Sequence, residues 1–499
     1  MHKVINLLKT SFAWQAGLLI TLTALLYGSL INNLNLWADE IYSVLMAKDS
    51  LPNMWTLLLS EDSKPPLYYL YLKGILSLFP TQFEIWAAHF GSVLLLILAQ
   101  IFAATVVRHD FGDKIALWLI ALIMLMPQSL WLGFEVRTYM LSALLMTAIA
   151  VYGQRLLNHP KVSDFVKFGV CSVLALYTHY YCAIWMMFFY IGLLYFIIKD
   201  KKFRTSGRPF ILTAVCVAIF FIPWLYVPLH NGDKIMQSWY VSESFVKFSW
   251  RFFINPLAEE FWQSSFFIAT TLATAVFSFI LLIGLWNIPQ KKAPAQMIKL
   301  LIGSFVATYA LLWVLSYTVR PIVTERYLKI FSLILYLAAA IILMQLKNIQ
   351  KAFILVSIIG FIFTYADIRA TVFHKGYQNL AQDIRQFIPK EQPLIAFDQS
   401  NLFCEYYLPE YTCLLIVGER GEYFRLPQVA KNIALYQQEP AQTVFGLSLY
   451  RLRNDDNCRT YDTEYRNGQN LHLCRYSRDE VMPMLEDSIK WLNNHVKTP

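Results

Sequence analysis

The feature that most constrains this chain is a series of apolar blocks, each about 20 residues long, that recurs from residue 13 to about residue 370. A helix of about 20 apolar residues spans the roughly 30 Å hydrocarbon core of a bilayer. Only 15% of the residues are charged, whereas soluble domains have about 25%. The sequence therefore predicts an α-helical polytopic membrane protein.

About eleven transmembrane helices are predicted, and threading them from a cytoplasmic N-terminus tests the assignment. The basic connections, such as Lys199–Arg208, then fall on the inside, as the positive-inside rule requires. They account for the net charge of +9, so no nucleic acid partner is expected. The first block follows Lys3 and Lys9 without a cleavage site, which indicates a retained anchor. The spans lie near 13–31, 85–107, 114–132, 138–157, 165–178, 181–198, 209–229, 263–287, 298–318, 328–346 and 352–370.

The odd number of spans places the C-terminus outside and divides the chain into two predicted domains. Residues 1–370 form the membrane domain, with large outside loops at 32–84 and 230–262. Amphipathic juxtamembrane helices are expected in these loops, for example over Met54–Leu59, lying in the interface. Residues 371–499 have more charge and apolar runs of strand length, which predict a small exported α/β domain.

Four cysteines lie in this tail, at positions 404, 413, 458 and 474. In an exported domain they indicate two disulfides, most simply Cys404–Cys413 and Cys458–Cys474, although sequence alone allows three pairings. An outside, oxidising location agrees with disulfides. The alternative is a cytosolic tail with reduced thiols, which requires a different number of spans.

Ionisable and aromatic side chains collect at the predicted outer face, in separate connections. Such groups at the ends of spans are costly and tend to face a polar cavity. A carboxylate base and cations that bind a phosphate could form one site there. The candidates are Asp39, Glu40, Lys64, Tyr69, Glu135, Arg137, Tyr139, His179, Tyr180, Tyr181, Arg320, Glu325, Arg326 and Tyr327.

Each candidate also has a purely structural interpretation. Asp39 could cap a helix over Glu40–Met46, and Lys64 could extend to the lipid headgroups. Glu135 and Arg137 could form a solvated turn, and Arg326 could anchor a helix end. His179 is about as easily a satisfied interface histidine. P-loop, dinucleotide-binding and zinc-protease motifs are absent from the sequence, so it gives no support for soluble cofactor chemistry.

Taken in order, these motifs resemble those of a known family. The Asp39-Glu40 pair is followed by Lys-Pro-Pro-Leu-Tyr-Tyr at 64–69, Glu-x-Arg-x-Tyr at 135–139, Thr-His-Tyr at 178–180 and Glu-Arg-Tyr at 325–327. This set resembles GT-C glycosyltransferases, in the branch of the protein O-mannosyltransferases and the bacterial lipid A aminoarabinose transferases. The resemblance covers about residues 10–370, and it is looser over the tail.

The resemblance implies transfer of a sugar from a polyprenyl-phosphate donor at the outer face of a bacterial inner membrane. Asp39 would be the base, Glu135 a second acid, and Lys64, Arg137 and Arg326 would bind the donor phosphate. Glu40, Tyr69, Tyr139, His179, Tyr180 and Glu325 are further pocket candidates. No cofactor is required; a divalent metal held by Asp39 and Glu135 is the less favoured variant. With fewer spans than the aminoarabinose transferases, the chain leaves its acceptor open among glycan, lipid and protein.

Two other functions are consistent with a polytopic chain. A transporter or flippase of a lipid-linked saccharide is expected to show repeats or broken helices near the midplane, and the sequence shows neither. An O-antigen-ligase-like enzyme would concentrate its polar residues in one late outside loop, whereas the motifs here begin in the first loop.

Overall fold

The computed structural model describes most of the chain, and the helices and strands are given within those residues. In chain order the helices are α1 (Phe12–Leu30), α2 (Ala38–Lys48), α3 (Leu51–Leu57), α4 (Leu67–Ser77), α5 (Glu84–Phe102), α6 (Asp113–Leu125), α7 (Pro127–Phe134), α8 (Tyr139–Leu156), α9 (Val162–Leu176), α10 (Tyr180–Lys199), α11 (Arg208–His230), α12 (Phe245–Ile254), α13 (Lys292–Thr318), α14 (Glu325–Leu328), α15 (Ser332–Leu343), α16 (Gln350–Thr371), α17 (Gly376–Phe387), α18 (Ser400–Tyr407) and α19 (Arg478–His495). The strands are β1 (Leu394–Phe397), β2 (Cys413–Ile416), β3 (Thr443–Ser448), β4 (Cys458–Tyr461) and β5 (Leu471–Ser477). The described residues are 11–59, 64–158, 160–230, 244–254, 256–257, 275–278, 292–319, 321–346, 350–371, 376–397, 400–416, 443–448, 458–461 and 471–495.

The chain forms two compact units. The first consists of Met1–Ile31, Leu58–Thr81 and Trp86–Asp367, and the second of Asn32–Leu57, Gln82–Ile85 and Ile368–Pro499. The sequence analysis places a single boundary near residue 370. The structure has a boundary there too, but it also assigns most of the first outside loop to the same unit as the tail.

The first unit is a bundle of apolar helices. Six helices of the described part are long and apolar enough to cross a membrane, or seven if a bent pair counts as one span. Helices stand at ten of the eleven predicted spans, and the eighth, 263–287, lies almost wholly outside the described residues. Helix α11 exposes Phe220, Ile222 and Tyr226 along its length, as expected for a helix that faces lipid. The chain is a multi-pass membrane protein with a helical bundle.

One predicted span is broken. The sequence predicts one straight helix over 114–132, but α6 ends at Leu125, and α7 begins at Pro127 with a bend of 72° between them. Proline disfavours helical geometry in the residue before it, and Met126 is extended, with φ −73° and ψ 137°. The expectation of no broken helices was therefore wrong here. Glu135 follows directly after α7, so the bend determines where this residue lies.

The centre of the bundle is the helical stretch Arg326–Leu343, 89% of which is buried. It begins with α14, continues through a 3₁₀ turn at Lys329–Phe331, and ends in α15, where every residue is buried. An ionisable side chain on so enclosed a stretch needs a partner within the protein.

The second unit has a five-stranded mixed sheet in the order β2-β1-β3-β5-β4. Strand β1 pairs in parallel with β2 and β3, whereas β5 is antiparallel to β3 and β4. A disulfide joins Cys404 of α18 to Cys413 of β2, which is the pairing that the sequence predicts. Cys474 is also disulfide-bonded, and the strand register sets it opposite Cys458. Helix α2, from the first outside loop, packs on α18 within this unit.

Candidate active site

A buried ion pair lies at the junction of α7, α8 and the 3₁₀ turn in the first unit. Lys329 Nζ lies 3.0 Å from Glu135 Oε2, and each side chain is only 1% exposed. The ammonium also lies 5.7 Å from the centroid of the Trp131 ring and 5.9 Å from that of Tyr139. A charge in such a place is stable only when a partner balances it. Glu135, predicted as a second acid, is thus held as one half of a salt bridge.

Lys329 is the site residue that the sequence reasoning missed. It lies inside the predicted span 328–346, two residues after the last residue of the Glu-Arg-Tyr motif. The signal was nevertheless present, because an ionisable residue within a membrane helix indicates a functional site by default. Its partner is 194 residues away in the sequence, and that distance hid the pair.

Two side chains of α5 fix the backbone that carries Glu135. Ser92 Oγ donates a hydrogen bond to the carbonyl oxygen of Glu135 at 2.6 Å. His89 Nδ1 lies 2.5 Å from the carbonyl oxygen of Phe134, so this nitrogen carries the proton. Both side chains are buried. These bonds satisfy the carbonyls at the end of α7, which a helix terminus otherwise leaves without partners.

An aromatic cluster adjoins the ion pair and consists of Tyr139, His179, Tyr181 and Tyr327. The His179 ring lies 5.1 Å from Tyr327, 5.3 Å from Tyr181 and 6.2 Å from Tyr139, in edge-on geometry. Tyr181 and Tyr327 also meet at 5.5 Å. These contacts bring together three predicted motifs, from the starts of α8, α10 and α14.

The electrostatic environment of His179 is positive. This residue lies in the connection between α9 and α10, where burial, followed by the charges of Arg137 and Lys64, lowers its pKa to about 3. Its Nδ1 accepts a hydrogen bond from the backbone N–H of Tyr181 at 3.1 Å. Because the ring stays neutral at physiological pH, it can accept this bond, and the remaining ring nitrogen carries the proton.

Two hydrogen bonds join the segments that carry Lys64 and Arg137 to this connection. The N–H of Leu67 donates to the carbonyl of Tyr177 at 2.9 Å, which holds the Lys-Pro-Pro turn against it. Thr138 Oγ1 donates to the carbonyl of Thr178 at 3.0 Å, next to Arg137. Pro65 and Pro66 are buried, and their fixed φ angles make the turn rigid.

Arg326 completes the group of predicted cations. Its charge acts on Tyr139, as do those of Arg137 and Glu135, and the neighbouring Tyr327 belongs to the aromatic cluster. Tyr181 Oη donates to the carbonyl of Ile322, which fixes the approach to α14. The charges of Arg137 and Lys64 thus act on His179, and those of Arg137 and Arg326 act on Tyr139. The phosphate-binding roles of the three cations stay predictions.

Other pocket candidates have different surroundings or lie outside the description. Tyr180 Oη accepts a hydrogen bond from Trp224 Nε1 at 3.1 Å, which ties it to α11. Tyr69 is buried in α4, with its ring 6.2 Å from that of Tyr68. The side chain of Glu325 and the whole of Arg320 lie outside the described residues. The roles of these four residues stay predictions.

The remaining two candidates, Asp39 and Glu40, belong to the second unit. Helix α2 begins at Ala38, and Glu40 Oε2 accepts a hydrogen bond from the backbone N–H of Trp37 at 3.3 Å. Glu40 is fully buried, whereas Asp39 is half-buried. The interpretation of Asp39 as an N-cap was therefore wrong, because the helix starts two residues earlier, with Trp37 as its N-cap, and the carboxylate that binds the capping N–H is that of Glu40. The role of Asp39 as the base stays a prediction.

Comparison with known proteins agrees with this arrangement. A family model described as dolichyl-phosphate-mannose-protein mannosyltransferase matches residues 63–227, about a third of the chain. That stretch contains the Lys-Pro-Pro turn, Glu135, Arg137 and His179. A search of curated proteins by sequence finds no match.

Two crystal structures of ArnT from Cupriavidus metallidurans have a similar fold. The apo structure has a TM-score of 0.56 at 12% identity and covers 91% of this chain and 97% of ArnT. The structure bound to undecaprenyl phosphate has a TM-score of 0.57 at 13% identity and covers 93% of this chain and 98% of ArnT. The fold of this chain is thus similar to that of ArnT, as the resemblance predicted from the sequence implies.

Proposed function

We propose that this chain transfers a sugar from a polyprenyl-phosphate donor to an acceptor at the outer face of a bacterial inner membrane. The observation that carries the proposal is the cluster of Tyr139, His179, Tyr181 and Tyr327. The charges of Arg137 and Lys64 act on His179 in this cluster, and those of Arg137 and Arg326 act on Tyr139. An anion stabilises such a group of cations, and the ArnT structure of the same fold is bound to undecaprenyl phosphate. The N-terminus would be cytoplasmic and the second unit periplasmic, in accord with the basic inside loops.

The reaction is a single displacement. The acceptor hydroxyl or amine attacks the anomeric carbon, and the bond from that carbon to the phosphate oxygen breaks. The polyprenyl phosphate leaves with the electron pair, and the cations offset its developing charge. Asp39 takes the proton of the acceptor as general base. Since attack comes from the face opposite the leaving group, the anomeric centre inverts.

Glu135 has a supporting role in this mechanism. Its carboxylate is already balanced by Lys329 at 3.0 Å. Glu135 therefore holds the end of α7 in place and so orients Arg137, two residues further along the chain. The same pairing disfavours a divalent cation held by Asp39 and Glu135, because such a cation would compete with the ammonium for Oε2. Within the described residues, no group of three or more His, Cys, Asp or Glu side chains is arranged to hold a metal.

The test uses the purified full chain in lipid nanodiscs with a radiolabelled polyprenyl-phosphate sugar and a mixture of cell-envelope acceptors. The wild type should release polyprenyl phosphate, and Asp39→Asn should reduce the release by about 10³-fold or more, as expected when a general base is lost. The matched control is Asp113→Asn, an exposed aspartate paired with Arg108 at 2.8 Å, which should retain full release. Wild-type release by Asp39→Asn would contradict the role of the base.

The same preparation separates the alternative functions. A transporter or flippase in sealed vesicles would move the labelled donor to the other leaflet without releasing polyprenyl phosphate. Within the described residues, the bent pair α6–α7 favours a transporter, since broken helices are common in transporters. The ArnT structures share the fold, however, and the three cations point to phosphate binding. An O-antigen-ligase-like enzyme would release polyprenyl diphosphate from its donor.

A further inference from the structure

The second unit holds the segment that carries Asp39 through one tyrosine. Tyr407 Oη, at the end of α18, accepts a hydrogen bond from the backbone N–H of Leu36 at 3.0 Å. The same hydroxyl donates to the carbonyl oxygen of Leu36 at 3.4 Å, a weaker contact. Both residues are buried, and they lie 371 positions apart in the sequence. One side chain thus satisfies both polar backbone groups of a residue three positions before Asp39.

These bonds set where helix α2 starts. The N–H groups of Leu36 and Trp37 are consecutive, and they bind Tyr407 and the Glu40 carboxylate respectively. A buried backbone N–H without a partner is costly, so the chain has little freedom to rotate at either peptide. These two hydrogen bonds therefore set the direction of the first turn of α2 and the position of Asp39 within it.

Tyr406, the neighbour of Tyr407, contacts the other end of α2. Lys48, the last residue of the helix, lies with its Nζ 5.7 Å from the centroid of the Tyr406 ring. The same ammonium forms a salt bridge with Glu84 at 2.9 Å. Consecutive tyrosines of α18 therefore meet the beginning and the end of the helix that carries Asp39.

Helix α18 is itself anchored to the sheet. The Cys404–Cys413 disulfide joins it to β2, one turn before Tyr407. At its start, Ser400 Oγ lies 2.6 Å from the carbonyl oxygen of Phe397 and 2.7 Å from that of Leu447, which share its single proton. The Tyr407 ring packs against Phe403 at 5.3 Å. The Tyr407 hydroxyl is therefore carried by a helix that is itself fixed to the sheet.

We propose that Tyr407 is a positioning residue: its hydroxyl, supported by the Cys404–Cys413 disulfide, holds the start of α2 and sets the position of the Asp39 carboxylate. This gives the C-terminal domain a role in the reaction. The catalytic consequence rests on the proposed function of Asp39, whereas the positioning contact can be tested without it.

The test is Tyr407→Phe in the full chain, which removes the hydroxyl and keeps the ring. Hydrogen–deuterium exchange of the peptides covering 35–41 should become about 3- to 10-fold faster, the range that corresponds to loss of one net hydrogen bond. In the transfer assay, kcat should fall by a similar factor while KM for the donor stays unchanged, because the donor cations are untouched. The matched control is Tyr411→Phe, whose buried hydroxyl donates to Ile388 at 2.7 Å in the same domain and should leave both values at the wild-type level.

Two outcomes overturn the proposal. One is wild-type exchange at 35–41 in Tyr407→Phe, and the other is equal acceleration by Tyr411→Phe, which would show general loosening of the domain. Asp39→Asn separates this proposal from the proposed function, since it should abolish transfer and leave exchange at 35–41 unchanged. If exchange is faster in the Tyr407→Phe variant and the Asp39→Asn variant is still active, the positioning contact is supported and the role of Asp39 as general base is refuted.

The contribution of the disulfide is tested with the double variant Cys404→Ala, Cys413→Ala. It should accelerate exchange over 400–416 and also over 35–41, because the helix that carries Tyr407 is then no longer joined to β2. The control is Cys216→Ala, an exposed cysteine of α11 that is not disulfide-bonded, and it should change neither peptide. Acceleration over 400–416 with no change over 35–41 would remove the disulfide from the proposal.

Discussion

The two ends of helix α8 hold charge in different ways. At its C-terminal end, Arg155 Nε lies 2.6 Å from Asp110 Oδ2, and its Nη1 lies 3.5 Å from Asp164 Oδ1. That cation has two carboxylate partners. Before its N-terminal end, Glu135 is matched by Lys329, and burial, followed by the charges of Arg137 and Lys64, lowers the pKa of His179.

The comparison distinguishes a structural charge network from a binding site. Where acids and bases balance, as around Arg155, the network stabilises the helix ends and needs no ligand. At the other end, the charges of Arg137 and Lys64 act on the buried His179, and a positive local potential favours an anion. Helix α8 thus has a structural network of ion pairs at one end and the proposed donor site at the other. Four experiments test this distinction.

The largest effect is expected for Lys329→Met, which leaves the buried Glu135 carboxylate without its cation. Removing one member of a buried ion pair costs about 3–5 kcal/mol, so the unfolding midpoint in detergent should fall sharply. The double variant Glu135→Gln, Lys329→Met should recover much of that loss, because no unbalanced charge remains. A double variant that is less stable than the single one would mean that the pair is not a unit.

The next effect is on donor affinity. Arg137→Gln and Lys64→Met should each weaken binding of undecaprenyl phosphate by roughly 10- to 100-fold, since a hydrogen bond to a charged group contributes about 1.5–3 kcal/mol. Binding can be measured by titration in nanodiscs. Arg155→Gln is the matched control and should bind like the wild type. Equal weakening in all three variants would indicate non-specific attraction to the membrane protein instead of a site.

A smaller effect concerns pH. The pKa of His179 is about 3 in the folded chain against about 6.5 unfolded, so between these values the unfolded state binds the extra proton. Stability should therefore fall as the pH falls from 6.5 towards 3. His179→Gln should lose less stability than the wild type between pH 7.5 and 5, as measured by unfolding midpoints. Identical pH dependence would show that His179 titrates normally in the fold.

The smallest effect is expected at the balanced end of α8. Arg155→Gln should cost about 1 kcal/mol of unfolding free energy, the upper part of the range for accessible ion pairs, since its side chain is 21% exposed. Polyprenyl phosphate release should be unchanged. Strong loss of release in this variant would erase the contrast between the two ends of the helix.

Much of the fold was predictable because hydrophobic length is a local property. Blocks of about 20 apolar residues gave helices at ten of the eleven predicted positions, and the tail cysteines gave the Cys404–Cys413 pairing. The break at Pro127 was missed although proline was visible, because an apolar run continues across it. The interpretation of Asp39 as a cap failed by two residues, since the N-cap is Trp37 and the Glu40 carboxylate binds its N–H.

The sequence by itself determined that this chain spans a membrane and that its charged motifs recur between the spans, because both follow from the local chemistry of consecutive residues. Only the tertiary structure decided which charges meet. The pairing of Lys329 with Glu135, and the binding of Leu36 by Tyr407, join residues 194 and 371 positions apart. A buried charge or backbone amide must find a partner wherever the packing of helices supplies one, and no local pattern states which partner that will be.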